Sequence, residues 1–443
     1  MTQSLGVGPR FHFLPEQDHQ QPPHTKRPQK KAEQVMKKHL LIIATLDTKG
    51  REAAYIRGCV QRFGIQPLLM DVGTLGEPQT APDINRNEVL KAAGYHLDHI
   101  IRAKDRSMAI KAIQEGGTIL IKRLLEDEKL DGILGIGGGT GTAIATHIMR
   151  SLPLGLPKVM LSTVASRDMR EYVGTKDIVM FHSVADILGS NEFMRLILGQ
   201  VSSAICGMIE KGRKMNKEKP MVAVTAYGIN STCATHAEPL LQEKGYEMIA
   251  FHANGVGGMA MEEFIAEGLV AGVLDFTTHE IADEMFGGYC KGIGPMRLET
   301  AGRFGIPLVV APGGLDNAVF SPTYPMPHHL QGRKIHSHDT RFCVRMGPEE
   351  MKAFAQIMAE KLNRSKGPIH VLIPKKGWSE ADKEGMTLFD PEIDHVFVEE
   401  LRKLLQPHIP LEEMDVHISE PAFARRAVEV LDAMIRSNRI DPV

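Results

Sequence analysis

The residues whose types and spacing best suit chemistry in this chain are glycines. Gly135-Ile136-Gly137-Gly138-Gly139-Thr140-Gly141-Thr142 follows the apolar pair Ile133-Leu134 and runs into a helix-forming stretch from Ala143. Glycines let backbone N–H groups approach an anion closely, and a helix N-terminus behind them adds partial positive charge. Thr140 and Thr142 add hydroxyls, so the segment reads as a phosphate turn. It is not a P-loop, because no Gly-Lys-Ser/Thr follows. The competing reading is a turn that only packs a helix against a sheet.

Asp47-Thr48-Lys49-Gly50 ends an earlier apolar run where another helix begins. Lys49 suits the neutralisation of phosphate, and Asp47 suits Mg²⁺, directly or through water. The alternative makes Asp47 a helix cap and Lys49 a solvated charge. Asp71 closes the next run, where nucleotide folds often place an acid on ribose hydroxyls and where a turn aspartate is equally at home. Ser166, at the end of Ser162-Thr163-Val164-Ala165-Ser166, fits a ligand wall or an ordinary turn.

The second half of the chain repeats the order of run, glycines and helix at Phe251-His252-Ala253-Asn254-Gly255-Val256-Gly257-Gly258, which offers Gly255, Gly257 and Gly258 as a second anion cradle. Cys233 falls in the first turn of a helix starting near Ser231, where the helix dipole favours a thiolate nucleophile; the alternative is a small buried cysteine. Glu280, Asp316, His336 and His338 are acid/base candidates, because carboxylates beside histidines in a cleft tune one another toward neutrality. His336 and His338, two apart on an extended segment, face one side and could join Glu280 or His252 around a metal, or line a polar cleft by hydrogen bonding.

The elements that must position these residues are short apolar runs alternating with amphipathic stretches, the pattern of a parallel sheet covered by helices. Strands are expected at Leu40–Leu46, Pro67–Val72, Gly132–Ile136, Lys158–Val164 and Ile178–Ser183, and again at Met221–Ala226, Met248–His252, Gly272–Phe276, Leu308–Ala311 and His370–Ile373. A helix after Ser190 ends in the charged stretch Lys211–Pro220, which marks a linker. The expected organisation is a flexible arm over 1–37, an α/β domain over 38–210 that binds nucleotide, a linker over 211–220 and a second α/β domain over 221–443. The basic cluster Lys26–Lys31 in the arm reads as a solvated tail.

At 443 residues, with 43% hydrophobic and 24% charged residues, the chain is of ordinary folded composition and long enough for two cores. A net charge of −2 and 5% aromatics exclude a broad basic field and aromatic platforms for nucleic acid, leaving phosphate recognition local. The five cysteines form no C-x-x-C pair, so no disulfide framework or structural zinc is suggested, and a reducing, cytoplasmic location is expected. No apolar run reads as long enough to span a bilayer.

Taken together and in order, Asp47-Thr48-Lys49-Gly50, Gly137-Gly138-Gly139-Thr140-Gly141-Thr142, Ser162–Ser166, Tyr172-Val173-Gly174-Thr175, Phe251–Gly258 and Pro421-Ala422-Phe423 resemble the ATP-binding family typified by the tomato mosaic virus resistance protein, over about His39 to Ile435. The resemblance implies two Rossmann-like lobes, each with a mainly parallel sheet flanked by helices, ATP as ligand and a homodimer; it supplies no reaction. The expected function is thus ATP binding, with Mg²⁺, beside a ligand cleft between the lobes. The alternative is an enzyme acting there on a small, carbohydrate-derived substrate through Glu280, Asp316 and His336 or His338. A tubulin-like reading of the glycine-threonine turn finds no support elsewhere in the chain.

Overall fold

A computed structural model describes residues 37–74, 76–189, 191–213 and 218–438; the expected arm over 1–37 and part of the expected linker lie outside them, apart from Lys37. The chain builds two parallel sheets in succession. In the first lobe β1 (His39–Ala44) leads into α1 (Leu46–Arg62) and β2 (Gln66–Asp71). Three helices follow, α2 (Arg86–Ala92), α3 (Leu97–Ala103) and α4 (Arg106–Glu126), before β3 (Gly132–Gly137) and α5 (Gly139–Arg150). β4 (Lys158–Ser162), α6 (Arg170–Val173), β5 (Val179–His182) and α7 (Glu192–Lys211) complete it. The strands lie in the order β2-β1-β3-β4-β5, all parallel.

Alternation along the strands decides what each helix covers. Leu40, Ile42, Leu134, Ile136, Val159 and Leu161 face one layer with α1 and α7, while Leu41, Ile43, Ile133 and Met160 face the other with α2, α4 and α5. Both faces are dry, which is why these strands are apolar without interruption. Helix ends follow local chemistry: Asn85 and Glu88 form a reciprocal capping box at α2, and Asp105 caps α4 through the Met108 N–H. Helix α7 corrects one expectation. Its length and composition would suit a bilayer span, yet Met194, Ile197, Leu198, Val201 and Ile205 pack into the first-lobe core.

The second lobe restarts with β6 (Met221–Ala226), α8 (Ser231–Glu243), β7 (Glu247–His252), α9 (Val256–Ala266) and β8 (Gly272–Thr277). After α10 (Glu280–Phe286) and α11 (Thr300–Arg303) come β9 (Leu308–Gly313), β10 (Asn317–Phe320), β11 (Ile335–Ser337) and β12 (Phe342–Arg345). α12 (Pro348–Leu362), β13 (Ile369–Pro374), α13 (Pro391–Leu404), β14 (Leu411–Met414) and α14 (Pro421–Asn438) follow. The main sheet runs β14-β13-β9-β8-β6-β7 and is again parallel, while β10, β12 and β11 form a small antiparallel sheet beside it. In order of appearance, the first sheet reads second, first, third, fourth, fifth, and the second repeats that order and adds a sixth strand. The repeat lies in topology.

Candidate functional site

In each large sheet the chain leaves the first strand toward one edge and returns to place the third strand on the other side. Loops after these two strands diverge and leave a crevice at the carboxyl ends, the position where open parallel sheets take ligands. In the first lobe this crevice lies between the end of β1 and the end of β3, held in register by the pairing of Ala44 with Ile136.

The glycine turn forms one wall. Gly138 is the N-cap of α5, and the Thr142 N–H makes the first intrahelical bond, 2.8 Å to the Gly138 carbonyl. The N–H groups of Gly139, Thr140 and Gly141 therefore precede that ladder and carry the helix's partial positive charge. From α4, Arg106 Nη2 donates to Thr140 Oγ1 at 2.9 Å and adds a guanidinium to the rim.

The glycines divide into two kinds. A Cβ on Gly137 would stand 2.7 Å from Gly141 Cα, so packing alone requires glycine there. A Cβ on Gly138 would come no closer than 3.7 Å, to Thr163 Oγ1, and one on Gly139 would meet none of the described residues within 4 Å. Thr142 is not at the surface: its hydroxyl is buried and 2.7 Å from Ser162 Oγ.

The opposite wall is more committed than its sequence suggests. Lys49 Nζ donates to the Ile187 carbonyl and lies 3.6 Å from Asp186, which straps α1 to the loop after β5. Asp47 Oδ2 accepts from the Gly76 N–H at 3.2 Å, and its backbone carbonyl accepts from Gln79 Nε2 at 2.8 Å. A Cβ on Gly50 would come 2.8 Å from Gln79 Cβ, so this glycine is a packing glycine. Asp71 is buried and accepts from the Leu46 N–H at 3.1 Å and the Gly73 N–H at 2.9 Å, tying the β1 and β2 turns together. Burial raises its pKa against these bonds. Thr48 and Ser166 are exposed, and Thr48 Oγ1 sits 2.9 Å from Thr45 Oγ1.

The second glycine turn corrects the sequence reading. Gly255 adopts φ +91°, open to glycine, and its N–H donates to Glu280 Oε1 at 2.5 Å. A Cβ on Gly258 would fall 2.3 Å from Glu280 Oε2, and one on Gly257 1.8 Å from the His252 carbonyl. The Gly257 N–H goes to Asn254 Oδ1 at 3.1 Å, so the carboxylate this turn meets, through Gly255 alone, is the protein's own. Glu280 in turn meets Arg297 Nε at 2.8 Å, while the same guanidinium binds Asp275 twice and the Thr277 carbonyl at 3.0 Å.

The acid/base candidates separate accordingly. Glu280 is locked as described, with no exposed surface. Asp316 belongs to a different buried group, accepting from Asn317 Nδ2 at 2.8 Å and Ser379 Oγ at 3.0 Å; burial, with Asp382 nearby, raises its pKa to about 7. His336 lies on β11 of the small sheet. His338 shares a pocket of about 120 Å³ with His252, Tyr227 and Arg341, so two of the histidines do meet, without Glu280 or His336. Cys233 is fully buried and its thiol is pushed well above its ordinary pKa by desolvation, which outweighs the helix dipole; it is the small core cysteine.

A cluster that the sequence does not advertise lies beneath that pocket. The Tyr227 ring stacks on His279 at 4.3 Å between centroids and on His252 at 5.1 Å. Asp283 accepts from the Val319 and Cys290 N–H groups, both at 2.7 Å. His279, Asp283 and Cys290 bring their ligating atoms within 4.8 Å of one another, all buried. Arg106 was likewise missed, since it lies 34 residues from Thr140 and only the fold joins them.

A cavity of about 960 Å³ lies between the lobes, lined by Arg150, Gly174 and Thr175 on one side and Met259, Ile293 and Phe304 on the other. Arg150 ends α5, roughly 18 Å from the glycine turn along a helix rising about 1.5 Å per residue. Glu280, Asp316, His336 and His338 are not among its lining residues.

Models of the uncharacterised protein family UPF0261 match the N-terminal domain over residues 38–214 and the C-terminal domain over residues 219–435. A UPF0261 protein of Clostridium tetani is 39% identical over 88% of this chain and 97% of its own length. The tomato resistance protein against ToMV, Tm-1, is 36% identical over 73% of this chain and 44% of its own. Among solved structures, Acinetobacter baumannii MurG aligns over 90% of this chain and 100% of its own at 13% identity, with a TM-score of 0.22.

Proposed function

The chain belongs to the uncharacterised protein family UPF0261, and from that premise we propose that it binds the phosphates of a nucleotide, ATP in the first instance, at the N-terminus of α5. One observation carries the reading: Gly138 and Gly139 stand where the fold would accept a side chain, in front of N–H groups that precede the helical ladder. Packing does not ask for glycine there, whereas an anion resting on the backbone does. In the second lobe, too, a strand–glycine–helix turn, there after β7, has a backbone N–H on a carboxylate.

In this reading the N–H groups of Gly139, Thr140 and Gly141 take phosphate oxygens, and Arg106 adds charge-assisted bonds. Thr48 lies in the first turn of α1, just after β1. Asp71 and Lys49 act as braces and leave the ligand to others. Mg²⁺ suits the same crevice as a companion of the phosphates. Asp47 is already engaged with the Gly76 loop, so the ion's ligands are mainly nucleotide oxygens and water.

Equilibrium dialysis of the full chain with labelled ATP and Mg²⁺ tests the proposal. One equivalent should bind, and Arg106→Ala should weaken binding about tenfold or more, the worth of one charged hydrogen bond. Absence of binding at millimolar ATP, or full affinity in Arg106→Ala, overturns it.

A further inference from the structure

We propose that His279, Asp283 and Cys290 hold a divalent transition-metal ion of the zinc class inside the second lobe. The site is independent of the glycine turn of the first lobe. Its donors are one imidazole nitrogen, one carboxylate oxygen and one thiolate, a set that selects zinc over magnesium or calcium.

The first argument is the histidine. Its Nε2 lies 2.6 Å from the Ala253 carbonyl, and a carbonyl can only accept, so Nε2 carries the proton. The lone pair is then on Nδ1, which is buried without a hydrogen-bond partner among the described residues. A metal-bound histidine is held in this manner, one nitrogen oriented by a backbone carbonyl and the other offered to the ion. Left unmatched, a buried imidazole acceptor is costly.

The second argument is the other two ligands. Asp283 is fixed by the N–H groups of Val319 and Cys290, and each oxygen retains a lone pair after these bonds. The Gly288 position is pressed against it, with Asp283 Oδ1 only 2.7 Å from where a Cβ would be, so the carboxylate cannot swing away on that side. Cys290 is wholly buried, and burial raises its thiol far above the ordinary range.

The third argument is charge. Binding exchanges the Cys290 proton for the ion: the S–H bond breaks, a sulfur–metal bond forms, and one proton leaves to solvent. A thiolate and a carboxylate then balance two positive charges around a neutral imidazole, so the set has no net charge in a dry interior. The donor atoms all lie within 4.8 Å of one another. Three protein ligands leave a fourth position, as in sites that keep a water or substrate on the metal. Tyr227, stacked on His279, also lines the small pocket with His252, His338 and Arg341.

The test is spectroscopic and uses the full chain. After treatment with a strong chelator, Co²⁺ is titrated in as probe. One equivalent should produce visible ligand-field bands and a near-ultraviolet thiolate-to-cobalt band, both erased by one equivalent of Zn²⁺. Cys290→Ser should lose the thiolate band and His279→Ala should weaken binding at least tenfold, whereas Cys233→Ser, in a separate core, should keep both. Folding of each variant is checked by circular dichroism. No thiolate band in the unmodified protein, or a band that survives in folded Cys290→Ser, overturns the proposal.

Discussion

Replacing Gly139 by valine separates a glycine kept for a ligand from one kept for packing. Gly139 is exposed at the first position of α5, and its added side chain would meet none of the described residues within 4 Å. Valine also has the higher helix propensity, so the stability of the protein should change by less than about 1 kcal/mol. The same isopropyl group would stand over the N–H groups of Gly139 to Gly141. Charged hydrogen bonds are worth about 1.5–3 kcal/mol each, so losing two costs at least about 3 kcal/mol, or roughly 100-fold in affinity. Gly137→Ala should do the reverse. Its Cβ would press on Gly141 Cα at 2.7 Å, backbone against side chain, and overpacking of that kind destabilises by about 1–3 kcal/mol. Isothermal titration with Mg²⁺-ATP and thermal melting, run on both variants, read the two effects apart. An ATP affinity within twofold of the unmodified protein in a well-folded Gly139→Val would refute the reasoning.

Two further outcomes concern the second lobe. The Asp316 carboxyl, raised to about 7 by burial and by Asp382, contributes stability that is complete below the ordinary carboxylate range and lost as pH rises through 7. Asp316→Asn should therefore flatten the fall in stability between pH 5 and pH 8 (about 1–3 kcal/mol over that window), as read by urea unfolding; identical slopes would count against it. Arg297→Leu should cost about 3–5 kcal/mol, because Asp275 and Glu280, and Glu262 at 3.7 Å, would lose their shared guanidinium in the interior. Denaturation within 1 kcal/mol of the unmodified protein would show that the three carboxylates do not depend on it.

How much of this was legible in the sequence depends on the distance over which each signal acts. The parallel strands stood out because burial on both faces forces uninterrupted apolar runs, and Met221–Ala226 is found with the bounds read for it. The short strands β10, β11, β12 and β14, of three or four residues and partly polar, carry too little pattern to be seen. At the glycine turns the chemistry was local and so partly readable: the Gly255 N–H does meet a carboxylate. Which one was not, because Glu280 comes from 25 residues away. That the acid/base candidates lie apart was hidden for the same reason, since residue type does not reveal that Arg297 pairs with Glu280. His279 stood beside Glu280 in the same segment, and only the fold showed which of the two has a lone pair to offer.

The placement of the helices also bears on the order in which the molecule can form as it leaves the ribosome. Everything that closes the first lobe lies within one continuous stretch, ending with α7, whose Ile209 fills the space beside Gly132. That half can be complete while the rest is still being made, as N-terminal units commonly are. The second lobe has no such freedom. Gly272, at the start of β8, is covered by Leu431 and Ile435 of α14, and Asp432 receives both Lys244 and Tyr246 at 2.8 Å. One face of its central strand therefore stays uncovered until α14 has been made.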